Sequence, residues 1–141
     1  MNLKRLLLAL AAAFVITYAT DFVVHGVWLN PDYLAAKSLW RPPDEMRTFQ
    51  HWVFLAQLIC VATFVIIWAK GFAGRNIATG IVFGLLMGMS QQVWTIVNYV
   101  AMPVPGALAA KWFVAGVVQS VLLGIATALI YKPEAAPLSA P

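Results

Sequence analysis

The longest uncharged stretch of the chain runs from residue 76 to residue 110 and reads NIATGIVFGLLMGMSQQVWTIVNYVAMPVPGALAA. A helix needs about 20 apolar residues to cross the hydrocarbon core of a bilayer, so this stretch can hold one crossing and a turn. Pro103 and the pair Pro105-Gly106 mark the turn, because proline blocks helix continuation and glycine relaxes the backbone. The sequence therefore predicts that the chain crosses a membrane, turns and starts back.

Further charge-poor segments lie on both sides of this stretch, and the composition of the whole chain also indicates a membrane protein. Hydrophobic residues make up 62% of the chain and charged residues only 10%, whereas soluble domains carry roughly 25% charged residues. This excludes a soluble globular enzyme, and the absence of a basic stripe argues against nucleic acid as a partner. The predicted spans are at about 5–29, 46–70, 76–100 and 107–131 within one membrane domain, residues 1–132, and the Pro/Ala-rich residues 133–141 are predicted to be disordered.

The loop between the first two spans should contain a short helix that lies at the membrane interface. Asn30-Pro31-Asp32 is typical of a helix start, with Asn30 as the cap and Pro31 in the first turn. Pro42-Pro43-Asp44-Glu45 then suits the opening of the second span. The fold class is predicted to be all-α, a four-helix transmembrane bundle with a short interfacial helix in the first loop.

Orientation and location are predicted from the basic residues. Lys4 and Arg5 precede an apolar run that continues past Trp28, which favours an uncleaved first span over a signal peptide. Four spans place five Lys or Arg side chains on the side of the termini and four on the other side, where nearby acids dilute them. We therefore expect a multi-pass protein of the bacterial inner membrane with both termini cytoplasmic.

Small residues recur at four-residue spacing on the last two predicted spans. Helices in lipid associate through such residues, because they let two backbones approach closely. The two spans are joined by a short turn, so their small faces should meet. These helix-packing positions are Gly80, Gly84, Gly88, Gly116, Ser120 and Gly124.

Polar side chains are expected to gather in the outward half of the bundle. Asp21 would lie roughly 22 Å into the first span, with His25 one helical turn further out. The ligand- or proton-handling candidates at this depth are Asp21, His25, His51, Gln91, Gln92, Thr95, Asn98 and Gln119. Two interpretations of Asp21 remain open: it fixes the bundle by hydrogen bonding to Gln91 or Gln92, or it exchanges a proton or binds a ligand.

Cofactor binding is a further alternative. His25, His51 and Asp21 could bind a metal if the helices bring them together, although no metal-binding motif supports this. Most tryptophans map to the outward half, where they would form an interfacial belt or line a pocket for a quinone. The sequence by itself implies no bound cofactor, with a quinone or a metal as the alternatives.

Three short motifs stand out in the first third of the chain: the His25-Gly26 pair that ends the first span, Trp40-Arg41-Pro42 in the loop, and Glu45-Met46 leading into the second span. In these motifs the chain resembles a family of small bacterial integral membrane proteins of unknown function. The resemblance implies a bacterial inner-membrane location and assigns no catalytic residue.

Two main functional hypotheses follow. The first is a non-catalytic accessory or assembly subunit that packs against membrane lipid and other integral membrane proteins or itself, because the chain is small and contains no recognisable catalytic set. The second is an oligomeric proton-linked transporter, or a quinone- or metal-binding membrane subunit, that uses the outward polar cluster. Replacing Asp21 by Asn should separate them.

Overall fold

The computed structural model describes residues 2–132 and confirms the all-α fold. Within those residues, four helical segments are long and apolar enough to cross a membrane. The helices are α1 (Leu3–Asp21), α2 (Asn30–Ala35), α3 (Pro43–Thr48), α4 (Gln50–Gly71), α5 (Ile77–Ala101) and α6 (Gly106–Ile130), with a π-helical segment at Phe22–Trp28 and a 3₁₀ turn at Lys37–Leu39. The first span is therefore α1 continued by the π-helical segment, and the predicted disorder of 133–141 lies outside the described residues.

The first loop differs from its prediction in two details. The cap of α2 is Leu29, and Asn30 is already the first helical residue, so its side chain makes no cap hydrogen bond. The second span begins at Gln50 instead of residue 46, because the helix breaks at Phe49 after α3. At this break the Thr48 hydroxyl donates to the Glu45 carbonyl oxygen at 2.7 Å, a local bond that competes with helix continuation.

Helices α5 and α6 form the most closely packed pair, and the structure brings their small residues together. A Cβ atom added to Gly80 would lie 2.6 Å from the carbonyl oxygen of Gly124, and one added to Gly88 would lie 2.9 Å from the Cβ of Ser120. Gly84 faces the backbone of Ser120 in the same way. Only residues without a side chain permit this approach. Gly116 instead makes room for the side chain of Gln92.

The end of the bundle that holds both chain ends, here called the terminal half, has a continuous apolar core. A hydrogen bond of 3.0 Å from the Arg5 guanidinium to the Lys132 carbonyl oxygen joins the ends of α1 and α6. The core draws on all four spans: Leu6, Ala9 and Ala13 of the first, Val61, Phe64, Val65, Trp68 and Ala69 of the second, Phe83 of the third, and Leu123 and Ala128 of the fourth, with Tyr131. Phe83 lies 4.8 Å from Phe64 and 5.5 Å from Trp68, centroid to centroid, so aromatic rings join α5 to α4.

The opposite end, here called the loop half, is packed differently. Its apolar cluster is smaller and consists of buried Leu29, Val104, Leu108 and Ala109, with Val24, Tyr33, Leu39, Trp40 and Trp112 against them. These residues join the first loop to α6 and include none from α4. Nearly every side chain of α4 from Gln50 to Cys60 is exposed, Gln57 being half-buried. The first loop therefore packs on α6, while α4 contributes no residue to the apolar cluster at this end.

Candidate functional site

The carboxylate of Asp21 lies at the point where α1 changes into the π-helical segment. Its Oδ1 accepts a hydrogen bond of 2.7 Å from Nε2 of Gln119 on α6, and its Oδ2 accepts one from Nε2 of Gln57 on α4. The same Gln119 nitrogen lies 2.6 Å from the hydroxyl of Thr20 and 3.3 Å from the carbonyl oxygen of Thr17. Two amides from different helices thus hold the carboxylate inside the bundle.

Within residues 2–132, Asp21 forms no ion pair with a basic side chain. Three ion pairs occur in the described part of the chain, Arg41–Glu45, Arg47–Asp44 and Lys111–Asp32, and none includes Asp21. A charged side chain inside a span costs at least about 2.5 kcal/mol, so it normally meets an opposite charge, a proton or water. Among the described residues Asp21 is therefore held by hydrogen bonds from the neutral amides of Gln57 and Gln119 and by no ion pair.

Asp21 opens onto a cavity of about 300 Å³ in the loop half. The cavity lies between the end of the first span and the facing sides of α5 and α6. Its walls are formed by Asp21, Val24, His25, Tyr33, Gln92, Thr95, Trp112, Ala115, Gly116 and Gln119. The Thr95 hydroxyl donates to Oε1 of Gln92 at 2.5 Å, which fixes the orientation of that amide on the cavity wall. This cavity therefore combines a carboxylate, neutral hydrogen-bonding groups and aromatic rings.

A chain of three aromatic side chains closes one side of the cavity. The indole nitrogen of Trp112 donates to the hydroxyl of Tyr33 at 2.7 Å, and this hydroxyl lies 2.6 Å from Nδ1 of His25. The indole can only donate, so the Tyr33 oxygen accepts from Trp112, while the direction of the hydrogen bond between Tyr33 and Nδ1 follows the tautomer of His25. Burial raises the pKa of Tyr33, and the hydrogen bond from Trp112 partly opposes this. Tyr33 is therefore a neutral phenol at physiological pH.

An ion pair holds Tyr33 in place. Lys111 at the start of α6 bonds both carboxylate oxygens of the adjacent Asp32, at 2.8 and 2.9 Å, and this pair is only a quarter to a third exposed. It fixes α2 against α6, so that Tyr33 reaches Trp112. The sequence did not indicate Tyr33 or Gln57 as ligand candidates, since only contacts between distant segments bring Tyr33 to the cavity and Gln57 to Asp21.

The structure brings together five of the predicted ligand candidates and separates three. Asp21, His25, Gln92, Thr95 and Gln119 line the cavity, whereas Gln91, Asn98 and His51 do not. Gln91 lies 3.6 Å from the sulfur of Cys60, Asn98 is exposed, and His51 packs against Trp52.

The predicted hydrogen bond from Asp21 to Gln91 or Gln92 is wrong. The first span packs against α4 and α6, and α5 lies beyond α6. The amides that reach Asp21 are therefore Gln57 of α4 and Gln119 of α6. His51 does not line the cavity with His25, and no group of three or more His, Cys, Asp or Glu in residues 2–132 could hold a metal ion.

The structure also brings together only some of the tryptophans predicted to lie in the outward half. Trp40 and Trp112 pack edge to face with ring centroids 6.0 Å apart, and Trp28 lies beside the Lys111 ammonium. Trp52 and Trp94 are exposed on α4 and α5. Only part of the predicted aromatic group therefore contributes to a pocket wall.

Comparison of the chain with known protein families, curated proteins and solved structures finds no match. The resemblance of the His25-Gly26 and Trp40-Arg41-Pro42 segments to a bacterial membrane family thus stays a prediction. What the fold itself establishes is a multi-pass helical membrane bundle with a carboxylate-containing cavity at one end.

Proposed function

We propose that the protein binds a small organic cation in the polar cavity and that Asp21 exchanges a proton for this cation. The observation that carries the proposal is the Asp21 carboxylate, which faces the cavity and is held by neutral amides alone. This is the proton-linked alternative among the hypotheses drawn from the sequence.

The remaining cavity wall supports a cationic ligand with an apolar body. The rings of Tyr33 and Trp112 can face a positive charge, an attraction worth about 0.5–2 kcal/mol depending on desolvation. The oxygens of Gln92 and Thr95 can accept hydrogen bonds from an ammonium group. A volume of about 300 Å³ suits a molecule of amine size and is at the lower end of the range for ligand pockets.

Proton exchange follows from the position of Asp21 within an apolar bundle. A proton and a bound cation would each neutralise the same carboxylate, so the two would compete for Asp21 and cation binding would displace a proton held there. Because the proton and the cation compete for Asp21, the affinity for the cation should fall as the pH decreases. A carrier that alternates between the two states would move one proton against one cation.

Proton release on binding tests the proposal directly. Purified protein in weakly buffered detergent would be titrated with benzylamine below neutral pH, and binding and released protons would be followed together by calorimetry and a pH indicator. We expect saturable binding with release of up to one proton per protein. Asp21→Asn, which keeps the size of the side chain, should lower affinity at least tenfold and abolish the release.

Asp44→Asn is the matched control, because Asp44 is 97% exposed in the first loop and away from the cavity. Saturable binding that is unchanged in Asp21→Asn would contradict the proposal, as would saturable binding without proton release. Failure of benzylamine and of tetramethylammonium to bind at millimolar concentration would also count against it.

The accessory-subunit hypothesis stays a prediction, and the exposed loop half of α4 favours it as the second candidate. Leu55, Leu58 and Ile59 present an apolar surface there, which a neighbouring helix could cover in place of lipid. Purification in native lipid followed by mass spectrometry would detect a partner. Elution of the protein alone or only with copies of itself would argue against a hetero-subunit role.

We also propose that both termini face the cytoplasm of a bacterium and that the cavity opens toward the outward side. The support is the excess of basic side chains beside the terminal half. Reporter fusions at the C-terminus, active only on one side of the membrane, would test this orientation.

A further inference from the structure

A second, larger concavity lies beside the polar cavity and has a different character. It is a groove of about 790 Å³ between α2, the 3₁₀ turn and the start of α3. The groove is lined mainly by apolar side chains, among them Leu34, Trp40, Pro42, Pro43, Met46 and Trp112. His25, Tyr33 and Trp112 border both spaces, so these aromatic side chains separate the groove from the polar cavity.

The groove is bordered by two cations. Lys37 and Arg41 both line it, and both are exposed. Arg41 pairs with Glu45. The remaining acids of this loop are engaged elsewhere, since Asp32 binds Lys111 and Asp44 faces Arg47. Among the residues that the structure describes, Lys37 has no ion-pair partner, so the groove keeps a net positive charge.

The position of the groove determines which molecules reach it. It is built from the segment that joins the first two spans, so it lies where lipid headgroups meet the hydrocarbon core. Tryptophan side chains such as Trp40 and Trp112 favour this depth. An occupant therefore needs an apolar part for the groove wall and an acidic group for Lys37 and Arg41.

We propose that this groove is a binding site for an anionic phospholipid, with the phosphate beside Lys37 and Arg41 and the upper acyl chain against Trp40 and Met46. A zwitterionic lipid would gain the same apolar contact, but its own positive group would lie close to the two cations. The inference is independent of the cation site proposed for Asp21, because it uses different charges and a ligand of the opposite sign.

Lipid titration by native mass spectrometry tests this site. Detergent-solubilised full-length protein would receive dioleoyl phosphatidylglycerol or dioleoyl phosphatidylcholine, which share their acyl chains. We expect the first phosphatidylglycerol to bind roughly fivefold to thirtyfold more tightly than phosphatidylcholine, since each basic residue near an anionic lipid contributes about 1 kcal/mol and Arg41 also pairs with Glu45. The double variant Lys37→Gln/Arg41→Gln should lose this preference, and Trp40→Ala should weaken both lipids.

Lys4→Gln/Lys70→Gln is the matched control, because it removes the same net charge at the opposite end of the bundle. An equal loss of preference in both double variants would overturn the proposal in favour of a general charge effect. An unchanged preference in Lys37→Gln/Arg41→Gln would also overturn it. Glycerol 3-phosphate tests whether the site binds a water-soluble phosphate ester instead of a lipid. Displacement of the lipid by glycerol 3-phosphate at micromolar concentration would overturn the proposal, because the acyl contact would then be unnecessary.

Discussion

The two halves of the bundle are held together by different kinds of contact. In the terminal half, aliphatic and aromatic side chains from all four spans form one buried core, with Trp68 and Phe64 fully enclosed. In the loop half, hydrogen bonds from Gln57 and Gln119 to Asp21 connect α4 and α6 to the first span. The half with the better packing carries few polar groups, and the less tightly packed half carries the cavity.

This difference has a physical basis in the solvent. Lipid tails are as apolar as a leucine side chain, so spans associate through close van der Waals packing and hydrogen bonds. The terminal half uses packing, and so leaves little space for a ligand. The loop half is held by a few polar contacts, which leave space between the helices. Asp21 and His25 line that space. The buried core and the cavity thus lie at opposite ends of the molecule.

The strongest test of this division compares two tryptophans. Trp68 is fully buried in the terminal half, and Trp94 is 70% exposed on α5 in the loop half. Within residues 2–132 the indole nitrogen of Trp68 has no hydrogen-bond partner, so its removal costs packing alone. We expect Trp68→Ala to lower the free energy of unfolding by about 3–5 kcal/mol and Trp94→Ala to change it little, measured by thermal or denaturant unfolding in detergent. Similar losses in both variants would contradict the division.

The seam between α5 and α6 runs through both halves and offers the next largest effect. A side chain at Gly124 would collide with the backbone of Gly80, whereas one at Gly71 would meet nothing within 4 Å. Gly124→Leu should therefore cost about 2–3 kcal/mol through overpacking, and Gly71→Leu should be close to neutral. Melting temperatures and size-exclusion profiles of the two variants check this. A Gly124→Leu protein as stable as Gly71→Leu would show that the helices do not approach so closely.

The smallest effect concerns the polar contacts of the loop half. Gln119 reaches Asp21, Thr20 and the carbonyl of Thr17, whereas Gln57 reaches Asp21 alone. Hydrogen bonds between spans average about 0.6 kcal/mol and reach about 1.7 kcal/mol. We expect Gln119→Leu to cost about 1–2 kcal/mol and Gln57→Leu about half as much, by the same unfolding measurement. The reverse order would mean that α4, and not α6, holds the carboxylate.

Much of the fold could be predicted from the sequence, because bilayer thickness sets the length of an apolar helix. The α5–α6 hairpin followed from its short turn, and its contact face followed from Gly80, Gly84 and Gly124. The position of the polar side chains toward one end of the bundle could also be predicted, because successive spans run in opposite directions and this sets the depth of each residue. Five of the eight ligand candidates therefore line one cavity.

The partners of Asp21 could not be predicted for an equally physical reason. Helix α4 is apolar on all sides, so its sequence does not indicate which face turns inward, and Gln57 carries no signal of its own. The order of the helices around the bundle is likewise not fixed by span lengths, and this order decides between Gln92 and Gln119. The position of Tyr33 depends on the Lys111–Asp32 contact between residues 79 positions apart.

The Lys111–Asp32 contact also connects segments of the molecule that lie far apart in the sequence. This ion pair joins the first loop to α6, and α6 packs closely against α5 along the glycine seam. The first loop, α5 and α6 are therefore connected by direct contacts. In the loop half, the groups that hold α4 to the first span are Gln57, bonded to Asp21, and Phe54, stacked on Tyr18. At this end of the bundle Asp21 is therefore bonded to α4 through one side chain, whereas the aromatic side chains around Tyr33 contact only the first loop, the first span and α6.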